Sequence, residues 1–141
     1  MTTKTKIAIN GFGRIGRNLF RLLLSHSTIE VAAINDIADA KTMAHLLKYD
    51  SIHGILQSEV SYTEDAIIID NKPYPFLRNK NIEAIDWAKY DINIVIEATG
   101  RIKTLEEAEQ HIAAGAKKVI LSAPPEDDRI KTIVLGVNEH I

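Results

Sequence analysis

The sequence predicts a doubly wound α/β domain on a mostly parallel sheet, from three features. A short apolar run, Ile7-Ala8-Ile9, leads into three spaced glycines, Gly11, Gly13 and Gly16, and then into the amphipathic stretch Arg17-Asn18-Leu19-Phe20-Arg21-Leu22-Leu23-Leu24. A second apolar run, Val31-Ala32-Ala33-Ile34, ends in Asn35-Asp36, twenty residues beyond Gly16. Further apolar runs at 92–98 and 118–121 are separated by residues at helical spacing. Alternation of strand and helix on this scale is the pattern of parallel strands joined by crossover helices.

Taken in order, the first strand and the glycines form G-x-G-x-x-G at a strand-to-helix junction. Gly11 suits a tight turn out of the strand, Gly13 lets the backbone approach a pyrophosphate, and Gly16 lets the helix pack closely on the strands. The helix then opens with free N–H groups and the positive end of its dipole beside the phosphates. Asp36, ending the second strand, can accept hydrogen bonds from the ribose hydroxyls of an adenosine and would repel a 2′-phosphate. Strand, glycine loop, helix, strand and acid together make a Rossmann-type dinucleotide-binding fingerprint selective for NAD over NADP. A protein-kinase glycine loop would instead lie between two strands, and the chain contains neither H-R-D nor D-F-G.

Residues 40–49 have helical spacing, which places Met43, Leu46 and Leu47 on one face, and 50–54 read as a loop. Three short strands are expected at 59–63, 66–70 and 74–78, with turn chemistry at Asp70-Asn71-Lys72-Pro73. They suggest a small antiparallel insertion covering roughly residues 55–80 of a single domain spanning 1–141. The run at 92–98 reads as a buried parallel strand. Thr104 and Glu107 make a capping box for a helix over 105–114, and Gly115 sits where a left-handed C-terminal residue is wanted. A strand at 118–121 leads to Ser122-Ala123-Pro124-Pro125, and a last strand is expected at 132–135. Ligands of doubly wound sheets lie at the carboxyl ends of the strands. Gly11, Asp36, Thr99-Gly100 and Ser122 all fall at such ends and should converge on one crevice.

Composition narrows the function classes. A hydrophobic fraction of 45%, a charged fraction of 26% and a net charge of −2 describe an ordinary globular protein without a basic footprint for nucleic acid. The N-terminus runs almost directly into the first strand, leaving no room for a signal peptide, and no apolar stretch approaches the roughly 20 residues of a membrane helix. Cysteine is absent, so disulfides and zinc–thiolate sites are excluded. The expectation is a soluble, cytoplasmic protein. His26, His45, His53, His111 and His140 show no metal-ligand spacing and read as surface or loop residues. Glu106-Glu107, Glu126 and Asp127-Asp128 read as a solvated helix start and loop. Trp87 and the four tyrosines read as core or rim.

Ile9-Asn10-Gly11-Phe12-Gly13-Arg14-Ile15-Gly16-Arg17, Asn35-Asp36, Lys48-Tyr49-Asp50-Ser51, Glu97-Ala98-Thr99-Gly100, Ala114-Gly115-Ala116-Lys117-Lys118-Val119 and Gly136-Val137-Asn138 occur in one order. Together they resemble the N-terminal NAD-binding domain of the phosphorylating glyceraldehyde-3-phosphate dehydrogenases, with erythrose-4-phosphate dehydrogenases as near relatives. The resemblance implies that Arg14 and Ile15 meet the cofactor phosphates through backbone N–H groups and that Asn10, Gly11, Gly13 and Gly16 are among the cofactor-binding residues. It further implies Asp36 on the adenosine ribose, Arg78 near the adenine, and Thr99 and Ser122 towards the nicotinamide, with Gly100 also among the cofactor-binding residues. The family's nucleophile is a cysteine shortly after a G-V-N strand and its base a histidine further on. The resemblance therefore implies a chain cut before its nucleophile, with no catalytic residue of its own. An aldose phosphate substrate and a homotetramer are likewise implied for the full-length enzyme. A nucleotide-binding module that never catalyses is the alternative from another class.

Overall fold

A computed structural model describes residues 3–141. Strand β1 (Thr5–Asn10) is followed by helix α1 (Arg14–Leu23), strand β2 (Ile29–Asn35) and helix α2 (Ala40–Lys48). Four short strands come next, β3 (Tyr49–Asp50), β4 (Gly54–Ile55), β5 (Val60–Thr63) and β6 (Ala66–Ile69), and then β7 (Lys72–Leu77). Two 3₁₀ turns, Ile82–Ala84 and Trp87–Tyr90, lead to β8 (Ile94–Glu97), helix α3 (Leu105–Ala113) and β9 (Lys118–Leu121).

Seven strands form one sheet in the order β5-β6-β7-β2-β1-β8-β9. From β7 to β9 the pairings are parallel, while β5-β6-β7 is an antiparallel meander. The antiparallel block is thus continuous with the main sheet, because β7 also pairs parallel with β2 through Ile34↔Phe76 and Asn35↔Leu77. Asp70 and Asn71, both at positive φ (49° and 70°), make the two-residue turn from β6 to β7. That is the pair of left-handed positions that a tight hairpin needs and that Asp and Asn tolerate.

Both faces of the central strands are buried. Ile7 and Ile9 join Phe12, Phe20, Met43, Leu47, Ile67 and Phe76 in one cluster, which α1 and α2 help to build. Ala8, pointing the other way as strand alternation requires, joins Ala33, Ile85, Trp87, Ile92 and Val95 in a second. A register shift between Ile7 and Ala8 accommodates one extra residue in β2, so Val31 and Ile34 reach the same cluster. Arg21 fastens α2 from outside, donating to Leu47 O at 2.6 Å and to Gly54 O at 2.9 Å.

Four sequence expectations change. The strand expected at 132–135 does not form: Ile133, Val134, Leu135 and Val137 are exposed, and the chain turns with Val137 N–H donating to Val134 O. Asn138 takes the groups a partner strand would use, accepting from Val134 N–H at 2.6 Å and donating to Thr132 O at 2.9 Å. An alternating apolar run is held as a strand only when another layer buries one of its faces. Leu46 does not share the buried face of α2; Ala40 and Ala44 take that place beside Met43 and Leu47, as the helical angle from their spacing dictates. The segment expected as a loop at 50–54 is mostly the turn of the β3–β4 hairpin. Finally, His111 is fully buried.

Candidate functional site

The strand order reverses direction at β1, with β2 on one side and β8 on the other, which makes the carboxyl end of β1 a topological switch point. A crevice of about 300 Å³ opens there, lined by Asn10, Gly11, Gly13, Asn35, Asp36, Ile37, Asn79, Ile82, Glu97, Thr99 and Ile102, among others.

Close approach of β1 and β8 dictates the residue that follows β1. Ala98 N–H donates to Asn10 O at 2.7 Å, and Gly11 has a φ of +97°. A Cβ on Gly11 would lie 2.7 Å from Thr99 N and 2.8 Å from the Ala98 carbonyl carbon, so only glycine fits. A Cβ on Gly16 would fall onto the Gly11 carbonyl oxygen, which is what seats α1 against the loop. Gly13 differs: nothing lies within 4 Å of a Cβ placed there. Its side faces open space at the mouth of α1, where Gly13 is the N-cap and no side chain caps the helix. The first N–H groups of α1, on Arg14, Ile15 and Gly16, have no carbonyl one turn earlier to accept from them. An uncapped helix start with open space beside Gly13 fits a phosphate.

Phe12 anchors this loop. Its ring is fully buried, edge-on to Phe20 at 5.6 Å and to Phe76 at 6.4 Å. Its carbonyl accepts from Arg17 Nη1 at 2.8 Å. Burial, and then the nearby charge of Arg14, lowers the Arg17 pKa. The Phe12 N–H donates to Asp36 Oδ2 at 2.6 Å, while Asp36 Oδ1 accepts from Ala38 N–H at 3.0 Å. Asp36 therefore ties the glycine loop to the end of β2. Each of its oxygens keeps lone-pair capacity for a further donor.

Beneath the crevice runs a polar ladder across the ends of the strands. Asn79 N–H donates to Asn35 Oδ1 at 2.9 Å, and Asn35 Nδ2 donates to Asn79 O at 2.9 Å and to Asn10 Oδ1 at 2.8 Å. Asn10 Nδ2 then donates to Glu97 Oε2 at 2.9 Å and Oε1 at 3.0 Å. Glu97 Oε1 also accepts from the Thr99 hydroxyl at 3.1 Å. Asn10, Asn35 and Glu97 are all buried. Sequence reasoning gave Phe12, Asn35, Asn79 and Glu97 no separate role. An acid inside an otherwise apolar buried strand was the available signal for Glu97, since such a charge is rarely buried without partners.

Of the residues expected to converge, Asn10, Gly11, Gly13, Asp36 and Thr99 line the crevice. Arg14, Ile15 and Gly16 begin the helix at its edge. Arg78 lies on the surface beside it, donating to the carbonyl of the lining residue Ile37 at 3.2 Å. Gly100 follows Thr99 at a φ of +73°. Ser122 is exposed at the end of β9, its N–H donating to Glu97 O at 3.0 Å, and neither it nor Gly100 lines the crevice.

The acids on and after α3 are structural. Glu107 Oε2 accepts from Lys103 N–H and Thr104 N–H, which holds its carboxyl below the usual range. Asp127 accepts from Arg129 and from Leu105 N–H, which holds its carboxyl well below the usual range. Among the described residues, no group of three or more His, Cys, Asp or Glu side chains could hold a metal ion, and no helix is long and apolar enough to cross a membrane.

A doubly wound sheet with an uncapped, glycine-bounded helix start and an acid closing the second strand defines a dinucleotide-binding domain. The family described as glyceraldehyde 3-phosphate dehydrogenase, NAD binding domain, matches residues 5–105, and the chain belongs to it. It is 50% identical over 136 residues to glyceraldehyde-3-phosphate dehydrogenase 1 of Bacillus cereus, covering 96% of this chain and 40% of that protein. To the Streptomyces coelicolor glyceraldehyde-3-phosphate dehydrogenase it is 53% identical over 135 residues, and to that of Geobacillus stearothermophilus 49% over 134, each match covering 95% of this chain and 40% of the relative. The chain spans about 40% of the length of the curated relatives it matches. Its cofactor is NAD.

Proposed function

We propose that the crevice at the end of β1 holds NAD with its pyrophosphate at the start of α1 and its adenosine ribose at Asp36. The open space beside Gly13, opposite an uncapped helix start, is the observation that carries this placement. Arg14 and Ile15 offer backbone N–H groups to the phosphates, Arg78 stands at the adenine end, and Thr99, Gly100 and Ser122 form the approach to the nicotinamide. Residues 1–141 act as one NAD-binding domain, with roughly 55–80 as its antiparallel portion.

The relatives' name points to glyceraldehyde-3-phosphate, an aldose phosphate, as the compound oxidised and phosphorylated, and NAD held in this crevice would supply the hydride acceptor for that oxidation. These residues bind and orient the cofactor. The oxidation passes through a thioester, which needs a thiolate nucleophile. None of the 141 residues is a cysteine, so that nucleophile is not among them. They act as the cofactor-binding portion, without a catalytic residue, of an enzyme that is cytoplasmic and homotetrameric. Titration calorimetry of this chain with NAD and NADP tests the placement. Measurable binding that favours NAD is expected; equal or tighter NADP binding would remove Asp36 from the ribose site.

A further inference from the structure

The polar ladder does not end at Glu97. His111, on α3, is fully buried, with Nε2 at 3.7 Å from Glu97 Oε1. That separation is too long for a hydrogen bond, and Nε2 has no other partner. On the far side of the ring, Trp87 Nε1 lies 3.0 Å from His111 Nδ1. An indole N–H can only donate, so Nδ1 must accept, which puts the ring proton of the neutral imidazole on Nε2, the nitrogen nearest Glu97. The orientation of the two amides in the ladder is determined separately, from its Asn79 end. The Asn79 N–H fixes the Asn35 amide, which presents Nδ2 to Asn10 Oδ1 and so turns Asn10 Nδ2 onto the Glu97 carboxylate.

We propose that Glu97 is a positioning residue for the cofactor, orienting the Asn10 amide and the Thr99 hydroxyl in the crevice, and that His111 holds Glu97 in place from behind. The proposal rests on the assignment of this crevice to NAD. A polar core serving stability alone would need no contact with the crevice, whereas Asn10, Glu97 and Thr99 all line it. Glutamine at 97 cannot serve, because Asn10 Nδ2 donates to both oxygens and one of them would become an NH₂. Asn10 could answer only by turning over, which would set its own NH₂ against Asn35 Nδ2, and Asn35 cannot follow because the Asn79 N–H requires its oxygen.

The test is calorimetric NAD affinity combined with the indole N–H resonance of Trp87, the sole tryptophan, on the 141-residue chain and its variants. Glu97→Gln is expected to lower NAD affinity about tenfold, the scale of one hydrogen bond to a charged group, in a domain whose spectrum remains dispersed. A matched pair at 111 separates the two sides of the ring and serves even if Glu97→Gln does not fold. The His111→Asn side chain can place an oxygen where Nδ1 accepts from Trp87 but cannot reach Glu97. The His111→Gln side chain can place an NH₂ near the Nε2 position and gives up the Trp87 acceptor. The asparagine variant should keep the indole shift and lose affinity about threefold; the glutamine variant should lose the indole shift and recover most of that affinity. Wild-type affinity in Glu97→Gln, or affinity that follows the indole bond across the pair, overturns the positioning role while leaving the cofactor assignment intact. Failure of the unaltered chain to bind NAD overturns both.

Discussion

At the scale of single residues, Gly13 and Gly16 have opposite constraints despite their shared motif. A side chain on Gly13 meets nothing within 4 Å, whereas one on Gly16 collides with the Gly11 carbonyl oxygen. Gly13→Val should therefore leave a folded domain that no longer binds NAD, while Gly16→Val should unfold it; circular dichroism and a binding titration on the same samples would show the split. Asp36 has two tasks, tethering the Phe12 and Ala38 N–H groups and facing the crevice. Asp36→Ala should cost about 1–3 kcal/mol of NAD binding and narrow the preference over NADP, measured by calorimetry with both cofactors. An unchanged NAD/NADP ratio would place the ribose elsewhere.

At the scale of elements, the start of α3 depends on two acids as well as its capping threonine. Thr104 and Glu107 form a reciprocal capping box, and Asp127 reaches from the loop after β9 to the Leu105 N–H. Thr104→Ala should cost about 1 kcal/mol of stability in urea unfolding, the usual cost of losing an N-cap side chain. The folded-state pKa values of Glu107 and Asp127 are depressed, chiefly by the Lys103 N–H and by Arg129 respectively. A depressed acid contributes its full stabilisation above its unfolded pKa and loses it as pH falls towards the folded value. The melting temperature should therefore begin to fall below about pH 4, where free carboxyls titrate. In the Glu107→Gln/Asp127→Asn double variant that decline should be shallower; parallel curves for the two proteins would show that other groups carry the acid sensitivity.

At the scale of the whole molecule, the antiparallel meander extends the parallel sheet, and the crevice lies near the middle of the seven strands. The crevice proposed to hold NAD is thus built on strands buried on both faces, which suits the fixed geometry a cofactor needs. The 141 residues include no cysteine, so highly purified chain should reduce no NAD with glyceraldehyde-3-phosphate and phosphate at any protein concentration. Turnover that persists after treatment with a thiol-alkylating reagent would refute the assignment of this chain to the cofactor-binding half of a thioester mechanism.

Local signals determined most of the architecture and the heart of the site. Spacing placed β1, α1, β2 and Asp36, and the glycines, whose conformations depend on φ and on the room for a Cβ, placed the open loop at the start of α1 where the phosphates are proposed to lie. The capping box at Thr104 and the turn at Asp70-Asn71 are equally local, because both are made by residues within a few positions of each other. What tertiary structure decided involves groups distant in the chain. Residues 132–135 have the alternation of a strand, but strand formation requires a neighbouring edge and a covering layer, and the side chain of Asn138 satisfies their backbone instead. His111 stands at an ordinary polar position in a helical sequence and is buried because Trp87, 24 residues earlier, meets it across the packed layer. Glu97 and Asn10 are 87 residues apart and become partners only because β8 pairs with β1. Periodicity reports which face of an element is apolar; which polar groups are enclosed together depends on the order of strands in the sheet.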